Sequence, residues 1–215
     1  MKLNFLVSGI LIPAFALSLM GAGFPDPPAE QLAPAGAKKA TVVLAGGCYW
    51  GMQGVFEHVK GVTDTTVGFS GGEKKTAEYE TVSTGKTGHA ESVQIVYDPS
   101  VITFGQLLKI YFSVAHDPTM LNYQHNDVGT QYRSEIFYVD DNQKSIAERY
   151  IAQLNAAKVF HKPIVTKVEA MKGFYRAEED HQHYLDRNPT DGYIVAMDLP
   201  LIADLRKTYP EMYKR

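Results

Sequence analysis

The chain has 215 residues, 45% hydrophobic and 21% charged, with one cysteine, Cys48. That composition excludes a disordered chain, and a lone cysteine excludes a disulfide scaffold or a structural zinc site of three or four thiolates. With 21 Lys and Arg against 24 Asp and Glu, a formal net charge of −3, there is no basic stripe for nucleic acid.

Residues 1–23, MKLNFLVSGILIPAFALSLMGAG, carry only Lys2 as a charge, then an apolar run and small residues. This is the layout of a secretory signal, and the run is short for a membrane span. The expectation is an exported protein, periplasmic or secreted, with an uncleaved N-terminal anchor as the alternative. Residues 24–40 hold Pro25, Pro27, Pro28 and Pro34 without apolar periodicity and read as a semi-rigid linker. Residues 41–215 then form one catalytic-sized domain.

Thr41 to Ala45 is a β-branched run closed by Gly46-Gly47, hence a buried strand. Met52, Val55, Phe56 and Val59 recur at helical spacing from Tyr49 onward. Val62 to Phe69 predicts a strand and 73–88 a long polar loop. Val93, Ile95 and Tyr97 alternate as a third strand up to Asp98-Pro99. Thr103 caps a helix striped by Phe104, Leu107, Leu108, Tyr111 and Phe112. After a loop from His116 to Gln131, Ser134 to Val139 is a strand and 141–157 a helix. Pro163 to Val168 predicts a last strand, Glu178 to Leu185 a short helix, and Leu199, Ile202 and Leu205 another. The first six elements, β-α-β-β-α-β, predict an α+β fold: a ferredoxin-like sandwich with a central mixed sheet and long loops.

Cys48 falls at the junction of the first strand and helix, in Gly46-Gly47-Cys48-Tyr49-Trp50-Gly51. Unpaired N–H groups in a helix first turn stabilise a thiolate, so a depressed pKa is expected. Tyr49 and Trp50 offer an apolar pocket beside the sulfur. A buried, inert cysteine is the other reading, and position alone does not separate the two.

The motifs do. GCYWG at 47–51, AEYETV at 77–82, TGHAE at 87–91, HDPT at 116–119, NDVGTQYRS at 126–134 and AEEDHQHYL at 177–185, followed by Asn188-Pro189, come in this order. Together they resemble the peptide methionine sulfoxide reductase A family over about residues 41–193. The resemblance implies that Cys48 attacks the sulfoxide sulfur and becomes a sulfenic acid, with methionine as product. It implies Glu91 as the acid that protonates the oxygen, and Tyr79 and Tyr132 as phenol donors. Tyr49 and Trp50 would receive the substrate methyl, Asp127 would help hold the site, and Tyr193 would line it. The implied substrate is the S epimer of methionine sulfoxide, free or in oxidised proteins.

Two positions depart from the family pattern. Tyr49 replaces the usual Phe. Ile194 follows Gly192-Tyr193 where many members carry a resolving cysteine, and no other cysteine is present. The expected reductant is therefore an external thiol: a thioredoxin-like protein, a glutaredoxin or a small thiol. No bound cofactor, metal or nucleic acid is expected, and the chain is monomer-sized. Two rivals remain: a cysteine hydrolase pairing Cys48 with His89, His116 or His125, and an inactive domain that only binds oxidised peptides.

Overall fold

The structure is a computed structural model that describes residues 23–215. The expected export signal therefore lies, apart from Gly23, outside the described residues. The chain runs through β1 (Ala40–Ala45), α1 (Tyr49–Glu57), β2 (Val62–Ser70), α2 (Tyr79–Val82), β3 (Ala90–Tyr97) and α3 (Phe104–Ile110). It continues through β4 (Tyr123–Gln124), β5 (Asp127–Val128), β6 (Glu135–Tyr138), α4 (Asp141–Ala156), β7 (Lys167–Ala170), β8 (Phe174–Arg176), α5 (Tyr184–Arg187) and α6 (Leu199–Thr208).

Six strands form one sheet in the order β7-β6-β1-β3-β2-β8, while β4 and β5 make a separate hairpin. All pairs in the large sheet are antiparallel except β6 with β7. The inner four, β6-β1-β3-β2, with α1 and α3 as the two connections, are the ferredoxin-like core that the sequence predicts. Two edge strands extend it to the expected mixed sheet.

The period of two along β1 separates the faces. Val42 and Leu44 enter the main core with Met52, Val55, Phe56 and Val59, whereas Val43 and Ala45 join Ala90 and Phe137 in a small cluster on the other face. Val93, Ile95 and Tyr97 of β3 also belong to the main core. Glu91 shares their parity, so the backbone alone turns its carboxyl toward α1 rather than toward solvent.

Local details differ from the sequence reading. The loop 73–88 contains a short 3₁₀ turn at Lys74–Thr76 and α2. The last strand begins at Lys167 rather than Pro163, because the extended run before it bonds elsewhere: Val165 N–H donates to Pro118 O. β8 was not anticipated. The helix expected over 178–185 is broken at Gln182, whose buried amide clamps both backbone groups of Val67, and His183 takes φ 51°. A 3₁₀ turn and α5 flank that break. Thr103 caps α3 as expected, in a reciprocal pair with Gln106.

Residues 24–39 contain no helix or strand and lie along α3 and α4. Tyr150 Oη donates to Pro25 O, Gln153 Nε2 to Asp26 O and Gly105 N–H to the Glu30 carboxylate.

Candidate active site

Cys48 is the half-buried residue that caps α1, in extended conformation. Two glycines let other segments close around it. Gly47 has φ 98°, and a Cβ there would strike the Gln124 side chain. A Cβ at Gly51, one turn into α1, would overlap Asp198 Oδ1. The chain on either side of the helix start is thus drawn against loops from far along the sequence.

Glu91 is 2% exposed and accepts the backbone N–H of Tyr49 at 3.1 Å. The hydrogen bond ties the carboxyl to the residue next to the sulfur, and it occupies one of the free N–H groups at the helix start. Burial, opposed by that hydrogen bond and aided by Asp127, pushes the Glu91 pKa up to about 8. A carboxyl there carries a proton at neutral pH and can give it away.

The expectation for Cys48 itself is corrected. The Trp50 N–H stabilises the sulfur, as the helix start should. Desolvation, with added repulsion from Glu91 and Asp198, outweighs it and holds the thiol well above its usual pKa. A proton on Glu91 removes the stronger of these repulsions. The favoured pairing is therefore a neutral acid beside the sulfur.

Tyr79 and Tyr132 come to the same place from different loops. Burial raises both phenols, and Glu91 and Cys48 add to it. Tyr79 stacks on His181 at 4.2 Å between ring centres, and its N–H donates to Glu178. Gln131 and Thr130, beside Tyr132, bond back to Ser83 O and Gly85 O. Arg133 ties Gly88 O and His89 O to this loop. Glu178, Gln131 and Arg133 are supports that the motif reading did not assign.

Trp50 stacks on Tyr184 at 3.8 Å and meets Tyr193 edge-on. Tyr49 lies beneath, 1% exposed, against Phe69 and His181, so it floors the pocket rather than lining it. Tyr193 Oη donates to Asp127 Oδ2 at 2.5 Å. Among the described residues, five buried side-chain polar atoms lack a partner. Four of them belong to residues near Cys48: Tyr49 and Trp50 follow it, His181 packs on both rings, and Asp198 lines the same cavity as Cys48. Buried polar atoms are normally paired, so such a cluster marks a place where a polar ligand belongs.

Two of the three bases of the hydrolase rival are engaged elsewhere, while the third, His125, shares a cavity with Cys48. His116 is buried with Nδ1 on Tyr111 O and Nε2 on Ser134 Oγ, and desolvation lowers its pKa to about 4. His89 is engaged by Gly72 N and Glu73 O. His181 and His183 go separate ways, the latter to Glu57, and among the described residues no three His, Cys, Asp or Glu side chains gather as a metal site. Ile194, at the place of the resolving cysteine, is fully buried with Leu185 and Ile202.

Residues 40–212 match the family model described as Peptide methionine sulfoxide reductase. The chain belongs to this family. The reductase is 56% identical over 184 residues to a protein named peptide methionine sulfoxide reductase MsrA 2 of Mesorhizobium japonicum, covering 86% of this chain and 93% of that one. A protein of the same name from Synechocystis is 44% identical, with 95% and 97% covered. Among solved structures, reduced Mxr1 of Saccharomyces cerevisiae superposes with a TM-score of 0.64 at 35% identity, covering 74% of this chain and 90% of that one. Methionine sulfoxide reductase A of Corynebacterium diphtheriae gives 0.62 at 36%, covering 78% and 87%. The reductase is thus an oxidoreductase of methionine sulfoxide, and the α+β fold is that of its relatives.

Proposed function

We propose that Cys48 is the nucleophile and Glu91 the acid in reduction of the S epimer of methionine sulfoxide, in oxidised proteins or as the free amino acid. The observation that carries this is the hydrogen bond from Tyr49 N–H to Glu91, which puts a proton-bearing carboxyl at the helix start that holds the sulfur. The sulfur attacks the sulfoxide sulfur as Glu91 protonates the oxygen, and Tyr79 and Tyr132 donate hydrogen bonds to it. Cys48 loses its thiol proton and Glu91 regains one; the hydroxyl then passes to the Cys48 sulfur as the substrate S–O bond and the transient S–S bond break, which leaves methionine and a Cys48 sulfenic acid. Trp50 receives the methyl, and Asp127 with Tyr193 fixes the near wall.

The sulfenic acid is then reduced by two external thiols, which leave as a disulfide with water. Cys48 is the single cysteine of the sequence and Ile194 supplies no second thiol, which favours a thioredoxin-like protein, a glutaredoxin or a small thiol as reductant. The protein acts as a monomer after export to a periplasmic or extracellular space, where N-terminal sequencing of the mature chain would report cleavage near residue 23.

The test supplies S and R methionine sulfoxide separately, with dithiothreitol, to wild type and Cys48→Ser. Turnover of S alone, lost in the variant, is expected. Reduction of R alone, or an active variant, overturns the reading.

A further inference from the structure

A cavity of about 230 Å³ opens beside Cys48. Its wall includes Gly46, Gly47, Gly51, Asp127, Tyr193 and Asp198, but neither Glu91, Tyr79 nor Tyr132. The acid and the phenols are therefore not part of this wall, although Asp127, which is, acts on both Glu91 and Tyr132. Asp198 is 3% exposed, and its Oδ2 has no hydrogen-bond partner among the described residues. It precedes Leu199-Pro200 at the start of α6, yet it makes no side-chain cap to that helix. Its carboxyl is turned instead onto α1 at Gly51. A buried, unpartnered carboxyl in a cavity wall is costly unless it has work there.

The charge of Asp198 opposes the first half of the reaction, because a second carboxylate near Cys48 disfavours a thiolate. Its value lies in the second half. Once Cys48 is a neutral sulfenic acid, that repulsion vanishes, and the nucleophile is an incoming thiol that must lose its own proton. We propose that the cavity admits the reductant thiol and that Asp198 is the base that deprotonates it. This rests on the external-thiol reading above.

The step balances. The thiol gives its proton to the Asp198 carboxylate, and its sulfur bonds to the Cys48 sulfur. The S–O bond breaks, and the hydroxyl leaves as water with a proton from the Glu91 carboxyl. The thiol sulfur is oxidised and the sulfenic sulfur reduced, which gives a mixed disulfide. Asp198 returns its proton to solvent and Glu91 recovers one.

Burial, with Asp127 and Asp191, raises Asp198 to about 7. A base of that strength is half-ionised near neutrality, where proton transfer is best matched. The charged and titratable groups facing it are Asp127, Asp191, Tyr193 and Cys48, with His116, Asp117 and His125 further around the cavity. His116 is held neutral by its own burial, so burial and then the acidic neighbours set the shift.

The experiment uses the whole protein in two stages, for wild type and Asp198→Asn. A burst of methionine without reductant, one per Cys48, checks the sulfenic-acid reading; its absence from wild type would sink that reading, not this one. Recycling is then started with 2-mercaptoethanol or with reduced thioredoxin, and with 2-nitro-5-thiobenzoate, whose thiol is already ionised. Asp198→Asn should keep the burst and recycle at least about tenfold more slowly with one or both protonated thiols; the arm affected identifies the source the cavity serves. With the ionised thiol it should be no slower than wild type. The wild-type recycling rate should also rise with pH through about 7, and this limb should be missing in the variant. A slowed burst, equal slowing with the ionised thiol, or unchanged recycling with both protonated thiols overturns the proposal.

Discussion

Two carboxyls bear on one sulfur, and the fold holds them by different means. Glu91 sits near the start of β3, opposite Phe69 of β2, and its orientation follows from strand parity. Asp198 sits where a wide helical turn over Ile194–Asp198 meets α6, and only the packing of that segment on α1 turns it inward. Both are buried and both are raised, to about 8 and about 7. The Glu91 carboxyl accepts a backbone hydrogen bond, while one oxygen of Asp198 accepts none. A paired strand fixes an acid rigidly enough to deliver a proton to one point. A helix start near an open cavity leaves a carboxyl free to meet a second molecule.

The largest effect should come from the sulfur that both acids serve. Cys48→Ser is expected to lower kcat/KM by more than about 10⁴-fold, measured by methionine release; retention of activity would leave neither carboxyl with a role. Next is Glu91→Gln, with a loss of about 10² to 10⁴-fold in kcat and little change in KM. Because the acid must be protonated, the wild-type rate should fall as pH rises through about 8. A Gln variant that kept this alkaline limb would assign it to another group.

Gly51→Ala acts on the second carboxyl. Its new methyl displaces Asp198, so recycling should slow by about tenfold, since small misplacements of a reacting group are costly, while the first methionine appears at the normal rate. Loss of the first turnover would mean that the two carboxyls are not separable. The smallest effect is Tyr49→Phe. The buried hydroxyl has no partner, so its removal should leave activity within about twofold and stabilise the fold by about 1 kcal/mol, read from denaturant midpoints. A large loss of rate would give the extra hydroxyl a function.

The contrast also explains what the sequence could carry. The stripe of Met52, Val55, Phe56 and Val59 faces the core, because local periodicity and burial agree there. The default for Glu91 at a strand end is a solvent-facing carboxylate, and only its parity with Val93 and Ile95 in the folded sheet turns it inside. Tyr79 lay in a segment read as loop, since α2 is one turn long and has no stripe to detect. Asp198 before Leu199-Pro200 looks like an ordinary helix cap. Its burial depends on Gly51, nearly 150 positions away, and no local pattern encodes that. The depressed thiol pKa failed for the same reason: the helix start is local, whereas the desolvation and the carboxylates around it are not.

The segment that carries Asp198 continues into α6 and then pairs with the end of α1, where Tyr213 bridges Val59 and Lys214 N–H donates to His58 O. During synthesis the sulfur emerges more than 140 residues before the wall that Asp198 completes. A growing chain therefore exposes an unshielded cysteine long before it can perform ordered turnover.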